Sequence, residues 1–270
     1  SLLHCVYVDT GFMRKNESTE VSEMFQEMGI NLKVVDASER FFQELDGITD
    51  PEEKRKIIGE QFIRVFEDEK KLCGAKFLVQ GTIAPDWIES GGGERDVIKS
   101  HHNVGGLPDD VELDIVEPLR EFYKDEVRSI ARELKIKSSE RQPFPGPGLA
   151  VRVLGDLTKE RVEACREACS IVEMRLQDAA SEGKCDLPWQ YFAALLPVRS
   201  VGVHGDARVH GETVVVRAVT SLDGMSAKYS PIPHDVLSSI STEITNALKG
   251  QVNRVVYDIT HKPPGTIEWE

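Results

Sequence analysis

The chain has 270 residues, 40% of them apolar and 29% charged, with a formal net charge of −13. That composition is ordinary for a globular protein, and the length allows one large domain or two modest ones, each with its own core. The acidic balance disfavours nucleic-acid partners, whose binders carry a basic face, and no apolar run approaches the roughly 20 residues a membrane span needs.

No basic, apolar and small-residue leader opens the sequence, and its five cysteines are scattered and odd in number. Both features suit a cytoplasmic protein with reduced thiols. Cys165 and Cys169 stand four apart in a helical pattern. With no second Cys/His pair at zinc spacing, they read as helix-packing thiols rather than metal ligands.

In chain order, His4 to Asp9 is an apolar strand ending in the turn Asp9-Thr10-Gly11. Ser18 to Met28 carries a helical stripe at Val21, Met24, Phe25 and Met28. Leu32 to Val35 reads as the next strand. Asp50-Pro51-Glu52-Glu53 is a helix start, with Asp as N-cap and acids near the positive end of the dipole, and the helix is expected to reach Leu72 before Gly74 stops it. Phe77 to Gln80 is a further strand, followed by Gly81. This alternation predicts a parallel sheet covered by helices, with ligands beyond the carboxyl ends of its strands. Two loops belong there, one starting at Asp9 and one at Gln80. The second runs from Gly81 to Pro108, a length typical of a functional lid or of disorder. Lys124 to Leu134 reads as a helix. The Pro- and Gly-rich run Gln142 to Leu149 marks a boundary between domains at 1–148 and 149–270. The second half reads as a small α+β domain: a helix from about Thr158 to Ala180, strands at Val198 to Val203, Thr213 to Thr220 and Arg254 to Ile259, and a helix from about His234 to Leu248.

Four stretches carry polar chemistry. In QGTIAPDWIES, Asp86 and Glu89 stand three apart, and paired carboxylates near a phosphate site are natural Mg²⁺ ligands; on this stretch alone a solvated acidic turn is the simpler reading. In IKSHHN, Lys99 can neutralise phosphate oxygens, and His101 and His102 can donate hydrogen bonds or move protons; a plain polar loop is the alternative. In DPEEKRKIIG, Lys54, Arg55 and Lys56 oppose the helix dipole, a local conflict that an anion would relieve. A solvated mixed-charge face explains the stretch equally well. The last stretch, RVVYDITHKPPGTIEWE, ends the chain on a strand, a rigid Lys262-Pro263-Pro264-Gly265 turn and further apolar residues. Chain ends normally fray, so this pattern predicts a docked tail whose Lys and Glu could hold a phosphate at one end and a base edge at the other.

Taken with VDTGFMRKNES, IKSHHNVGGLP, EPLREFYKDEVR, QPFPGPGLAVRV, GVHGDAR and VNRVVYDIT, these stretches resemble GMP synthetase over essentially the whole chain. The resemblance implies an α/β fold: a parallel-sheet adenine-nucleotide hydrolase-like (N-type ATP pyrophosphatase) domain followed by a small α+β dimerisation domain. It implies a two-step reaction on ATP and xanthosine monophosphate (XMP). ATP adenylates the C2 oxygen of XMP and pyrophosphate leaves; ammonia then displaces AMP to give GMP. Asp86 and Glu89 would support Mg²⁺, and Lys99, His101, His102 and Asn103 would form a lid over the phosphates. Asp9, Gly11 and Gly81 would line the ATP site. Arg55, Asp206, Arg208, Arg254, Lys262, Thr266 and Glu268 would contact XMP, with Lys262 at the phosphate and Glu268 at the purine edge. The family's strand–SGGVDS loop–helix unit is expected before His4 and is absent from this sequence, so the alternative is a non-catalytic nucleotide-binding or dimerisation fragment. No cysteine sits in a glutaminase setting. Ammonia is therefore expected from a separate glutamine amidotransferase subunit, and the chain is expected to be a homodimer.

Overall fold

A computed structural model describes residues 3–85, 114–136, 142–222 and 224–270. The chain divides into two compact units. The first comprises Ser1–Gly11, Ser18–Glu44 and Glu52–Arg141; the second comprises Phe12–Glu17, Leu45–Pro51 and Gln142–Glu270.

In the first unit, β1 (Cys5–Asp9) and β2 (Leu32–Asp36) pair in parallel, from Cys5 opposite Leu32 to Asp9 opposite Asp36. Helix α1 (Glu17–Glu27) forms the crossover between them, as parallel strands require. A short α2 (Ser38–Glu44) follows, then the long α3 (Pro51–Cys73). Strands β3 (Phe77–Val79) and β4 (Asp114–Val116) form a second parallel pair, and α4 (Lys124–Glu133) comes after it. The alternation of strand and helix thus appears as expected. Among the described residues, however, the parallel strands form two separate two-stranded ladders rather than one continuous sheet. Helix α3 starts at Pro51 with Glu52 and Glu53 in its first turn and Lys70 and Lys71 in its last, both complementing the dipole. Lys54 is fully buried, whereas Arg55 is half-buried and Lys56 exposed, so the three cations of the first turns occupy three different environments.

The second unit is built on a mixed sheet. Strands β5 (Gln190–His204) and β6 (Ala207–Thr220) form a long antiparallel hairpin closed by Gly205 and Asp206. One edge of β6 carries both the short β7 (Lys228–Tyr229), antiparallel, and β8 (Val252–Tyr257), parallel. Helix α5 (Lys159–Ser181) packs on β5, and α6 (His234–Ala247) packs against α5 and β8. Thr158 caps α5 by accepting from the Arg161 amide. The core joins Val162, Val172 and Leu176 of α5 to Phe192 and Leu195 of β5, Val214 of β6 and Ile240 and Ile244 of α6, all buried. Cys165 and Cys169 belong to this core: both thiols donate to the Ala193 carbonyl, and the contact with Cys169, together with burial, pushes the Cys165 thiol well above its ordinary pKa.

Gln190 to Leu195 and Thr213 to Val219 are buried at every position, so the sheet is covered on both faces there. Beyond Leu196 the pairing shifts register, with Pro197 and Val198 outside the ladder, as a proline in a strand demands. The rest of the hairpin is a two-stranded ribbon. Asn253 of β8 packs over it: a Cβ on Gly202 would lie 2.8 Å from Asn253, and one on Gly211 3.0 Å away. Asn253 also donates to the Ser200 carbonyl at 2.6 Å and accepts from the Ser200 hydroxyl at 2.8 Å.

The Pro/Gly run is neither helix nor strand until a 3-10 turn at Gly148–Val151. Gly148 holds φ +65°, and a Cβ there would lie 2.4 Å from the Phe12 carbonyl oxygen; the next amide, Leu149, donates to that same oxygen at 2.7 Å. Gly148→Ala adds a left-handed backbone penalty of about 1 kcal/mol to a clash with main chain that has no rotamer escape. We expect a loss of at least about 2 kcal/mol in denaturant unfolding; a variant within about 0.5 kcal/mol of the parent would show that the turn opens at negligible cost.

Candidate functional site

The tail after β8 is docked in the second unit. Its backbone pairs with the segment before β7: the Lys262 amide donates to the Ala227 carbonyl at 2.8 Å, and the Ala227 amide donates back to the Lys262 carbonyl at 3.0 Å. The chain turns through Pro263 and Pro264, with the Gly265 amide donating to the His261 carbonyl at 3.0 Å. His261 stacks on Tyr229 with ring centroids 5.3 Å apart.

Two buried arginines hold this hook. Arg217, on β6 and fully buried, donates to the Thr260 carbonyl at 2.5 Å and to the Thr266 carbonyl at 2.9 Å, and pairs with the Asp258 carboxylate at 3.2 Å. Arg152, 1% exposed, lies just after the 3-10 turn. Its Nε and Nη2 donate to the two carboxylate oxygens of Glu268 at 3.0 and 2.8 Å, the bidentate geometry that suits a guanidinium fork. Its guanidinium lies 4.1 Å from the ring centre of Phe192 and 5.1 Å from that of Phe144. Burial works against the charge of Arg152, but the nearby Glu268 carboxylate outweighs it, so the guanidinium holds its proton more tightly than usual. Gln190 donates to the same Glu268 oxygen as Nη2, at 2.6 Å. At the end of the chain, the Glu270 carboxylate accepts from the Gly155 amide at 3.3 Å. Tyr257, at the end of β8, donates its hydroxyl to the Ser230 carbonyl at 2.5 Å, and burial pushes its phenol well above the usual pKa.

The structure places the expected nucleotide contacts of this unit as follows. Lys262 is half-buried and donates its ammonium to the Gly224 carbonyl at 2.8 Å, leaving two of its three donors for a ligand. The Thr266 hydroxyl donates to the Glu268 carbonyl. Glu268 is 18% exposed and engaged by Arg152 and Gln190. Arg254, on β8, is exposed and donates to the Ser200 hydroxyl at 3.2 Å. Asp206 and Arg208 are exposed at the tip of the β5–β6 ribbon. Lys262, Thr266 and Glu268 thus share the hook, Arg254 stands on the strand leading to it, and Asp206 and Arg208 belong to the ribbon tip.

In the first unit, Asp9 ends β1, and its carboxylate accepts from the Gly11 amide at 2.9 Å and the Ser18 hydroxyl at 2.6 Å. This Asx turn leads the chain out of the strand toward α1. Gly11 has φ +80°, and a Cβ would meet the Phe42 ring at 2.8 Å, so only glycine fits. Gly81 follows β3, exposed, with open space where a Cβ would stand. Arg55 pairs with Glu52 at 2.9 Å within α3. Asp86, Glu89, Lys99, His101, His102 and Asn103 lie outside the described residues.

Residues 177–269, the end of α5 through the hook, match the GMP synthase C terminal domain family. Nearly the whole chain is similar to one named subunit (the one lettered B) of the glutamine-hydrolyzing GMP synthase of Thermoplasma volcanium. The two are 54% identical over 269 residues that make up 99% of this chain and 85% of that protein. Against the same subunit of Thermococcus kodakarensis the identity is 58%, again over 99% of this chain and 85% of the relative. The glutamine-hydrolyzing GMP synthase of Clostridium perfringens is 54% identical, and this chain spans 53% of its length. The chain belongs to the GMP synthase family.

Arg152, Gln190 and Arg217 are absent from the site residues expected from sequence. A signal existed: LAVRVLG and VVVRAVT each put one arginine inside an otherwise apolar run, and a buried charge is there to meet a partner.

Proposed function

We propose that this chain carries the ATP- and XMP-dependent half of GMP synthesis: adenylation of the XMP C2 oxygen by Mg²⁺–ATP with release of pyrophosphate, then displacement of AMP by ammonia. The observation that carries this reading is the 54–58% identity to a single subunit of GMP synthase, which runs across both units. The donor types fit. Lys262 offers an ammonium to the nucleotide phosphate, Glu268 offers a carboxylate oxygen to a purine N–H, and Thr266 and Arg254 flank them. Arg55, Asp206 and Arg208 complete the proposed XMP set. Asp9, Gly11 and Gly81 are proposed to shape the ATP loops. Asp86 and Glu89, as paired oxygen donors, suit the metal that accompanies ATP. Adenylyl transfer needs positioning and charge stabilisation more than covalent catalysis. Lys99, His101, His102 and Asn103 are proposed to supply these as a lid that excludes water.

The Thermoplasma volcanium and Thermococcus kodakarensis relatives are named as one subunit of a glutamine-hydrolyzing enzyme. That supports a separate glutamine amidotransferase subunit as the ammonia source, and the family resemblance of the second unit supports a homodimer. The test is to supply full-length protein with XMP, Mg²⁺–ATP and ammonium and to measure GMP, AMP and pyrophosphate, which should form in equal amounts. Binding of XMP without ATP-dependent release of AMP would instead identify a nucleotide-binding chain. In the active enzyme, Lys99→Ala should lower kcat by about 100-fold and leave the XMP dissociation constant within about threefold, because a lid cation acts on the developing charge. Equal losses in kcat and affinity would remove Lys99 from that role.

A further inference from the structure

Glu268 is proposed above as the acceptor for the purine edge, yet the fold already uses most of its carboxylate. A carboxylate offers about four acceptor positions. Arg152 Nε takes one on Oε2, while Arg152 Nη2 and Gln190 Nε2 share Oε1. About one position remains, on Oε2, and the side chain is 18% exposed whereas Arg152 is 1% exposed. The guanidinium is itself fixed. Phe192 and Phe144 stand over it at 4.1 and 5.1 Å, and its own carbonyl accepts from the Leu195 amide at 2.7 Å, tying residue 152 to β5. A planar fork held in this way fixes the plane of the carboxylate that it grips.

We infer that Arg152 is a positioning residue for nucleotide recognition: its bidentate grip, completed by Gln190, leaves Glu268 one outward acceptor in a fixed direction, and that acceptor selects purines that carry a proton on ring nitrogen N1. XMP and other 6-oxopurine nucleotides present N1–H there; AMP presents a bare N1 lone pair, which the carboxylate repels. A site with preset geometry discriminates on this difference more sharply than a freely rotating glutamate does. This inference rests on the proposed reading of the hook as the XMP site.

The experiment is a double-mutant cycle read by calorimetric titration with XMP, and by displacement of bound XMP with AMP so that both affinities refer to the hook, using Arg152→Lys, Glu268→Gln and the double variant. Lysine keeps the charge but not the fork. Arg152→Lys is expected to weaken XMP binding about tenfold and to shrink the preference for XMP over AMP. The double variant should bind no more weakly than Glu268→Gln alone, because Arg152 acts through Glu268. Additive losses, or an unchanged XMP/AMP ratio in Arg152→Lys, would overturn the inference. If the parent protein itself does not bind XMP, the reading of the hook fails, a result distinct from either. Should Arg152→Lys fail to fold, Gln190→Met removes an uncharged donor from the same oxygen. It should lower the XMP/AMP ratio about threefold, and an unchanged ratio would count against the inference in the same way.

Discussion

Arg217→Met is expected to lower the melting temperature of the second unit by about 10 °C and to release the carboxy-terminal hook. Arg217 is fully buried near the end of β6, and its guanidinium meets three main-chain carbonyls, of Asp258, Thr260 and Thr266, and the Asp258 carboxylate. Methionine fills much of the volume but removes the guanidinium from the Thr260 and Thr266 carbonyls and from the Asp258 carboxylate, which among the described residues keeps only the Thr260 amide at 2.8 Å. Removing one member of a buried ion pair costs about 3 kcal/mol or more, and for a unit of this size each kcal/mol is worth about 3–4 °C. Hydrogen exchange should show protection lost at residues 260–268 before it is lost in α5. Lysine is no substitute, since a single ammonium cannot span these separated acceptors as the planar fork does. A melting temperature within about 2 °C of the parent, with the tail still protected, would mean that pairing with Ala227 and the grip of Arg152 hold the hook unaided.

The arginine clamp also shows where sequence reading stops. Elements with a clear period end nearly where the pattern says: the helix expected from about Thr158 to Ala180 is α5, Lys159–Ser181, and the helix expected from His234 to Leu248 is α6, His234–Ala247. Both bury apolar residues at helical spacing, such as Val236, Ile240 and Ile244 in α6, which is what periodicity measures. Strand β5 is expected only over Val198 to Val203 but begins at Gln190. Its first six residues, QYFAAL, are buried at every position and so do not alternate. α2 escapes a sequence reading because seven residues are barely two helical turns, and β4 because its apolar pair Ile115-Val116 is interrupted on both sides by acids, Asp114 and Glu117. β6 is expected from Thr213, yet it starts at Ala207, since the polar, glycine-containing stretch ARVHGE belongs to the exposed ribbon.

The docked tail is legible for a different reason: a rigid Pro-Pro turn flanked by apolar residues is a poor design for a frayed end. Which groups dock it is not legible. The partners of Glu268 and of the Thr266 carbonyl lie 116 and 49 residues away along the chain, and no local pattern encodes such a pairing.

Lys262→Met should weaken XMP binding by about 10- to 100-fold while leaving binding of the nucleoside xanthosine unchanged. The ammonium is anchored by the Gly224 carbonyl at 2.8 Å, and Lys262 is pinned through its backbone to Ala227, so little side-chain entropy remains to be lost when a ligand arrives. Hydrogen bonds to charged groups are worth about 1.5–3 kcal/mol, which is about one to two decades in affinity. In a chain with a net charge of −13, a phosphate must be bound by such local cations, because more distant charges of either sign are screened beyond about 8 Å at physiological salt. The nucleoside comparison separates phosphate recognition from damage to the fold. Equal losses for XMP and xanthosine would make Lys262 a structural tie between the hook and the segment before β7. An XMP affinity equal to that of the parent would move the phosphate away from the hook, leaving the exposed Arg254 of β8 and the Arg208 of the ribbon tip as the cations to test next.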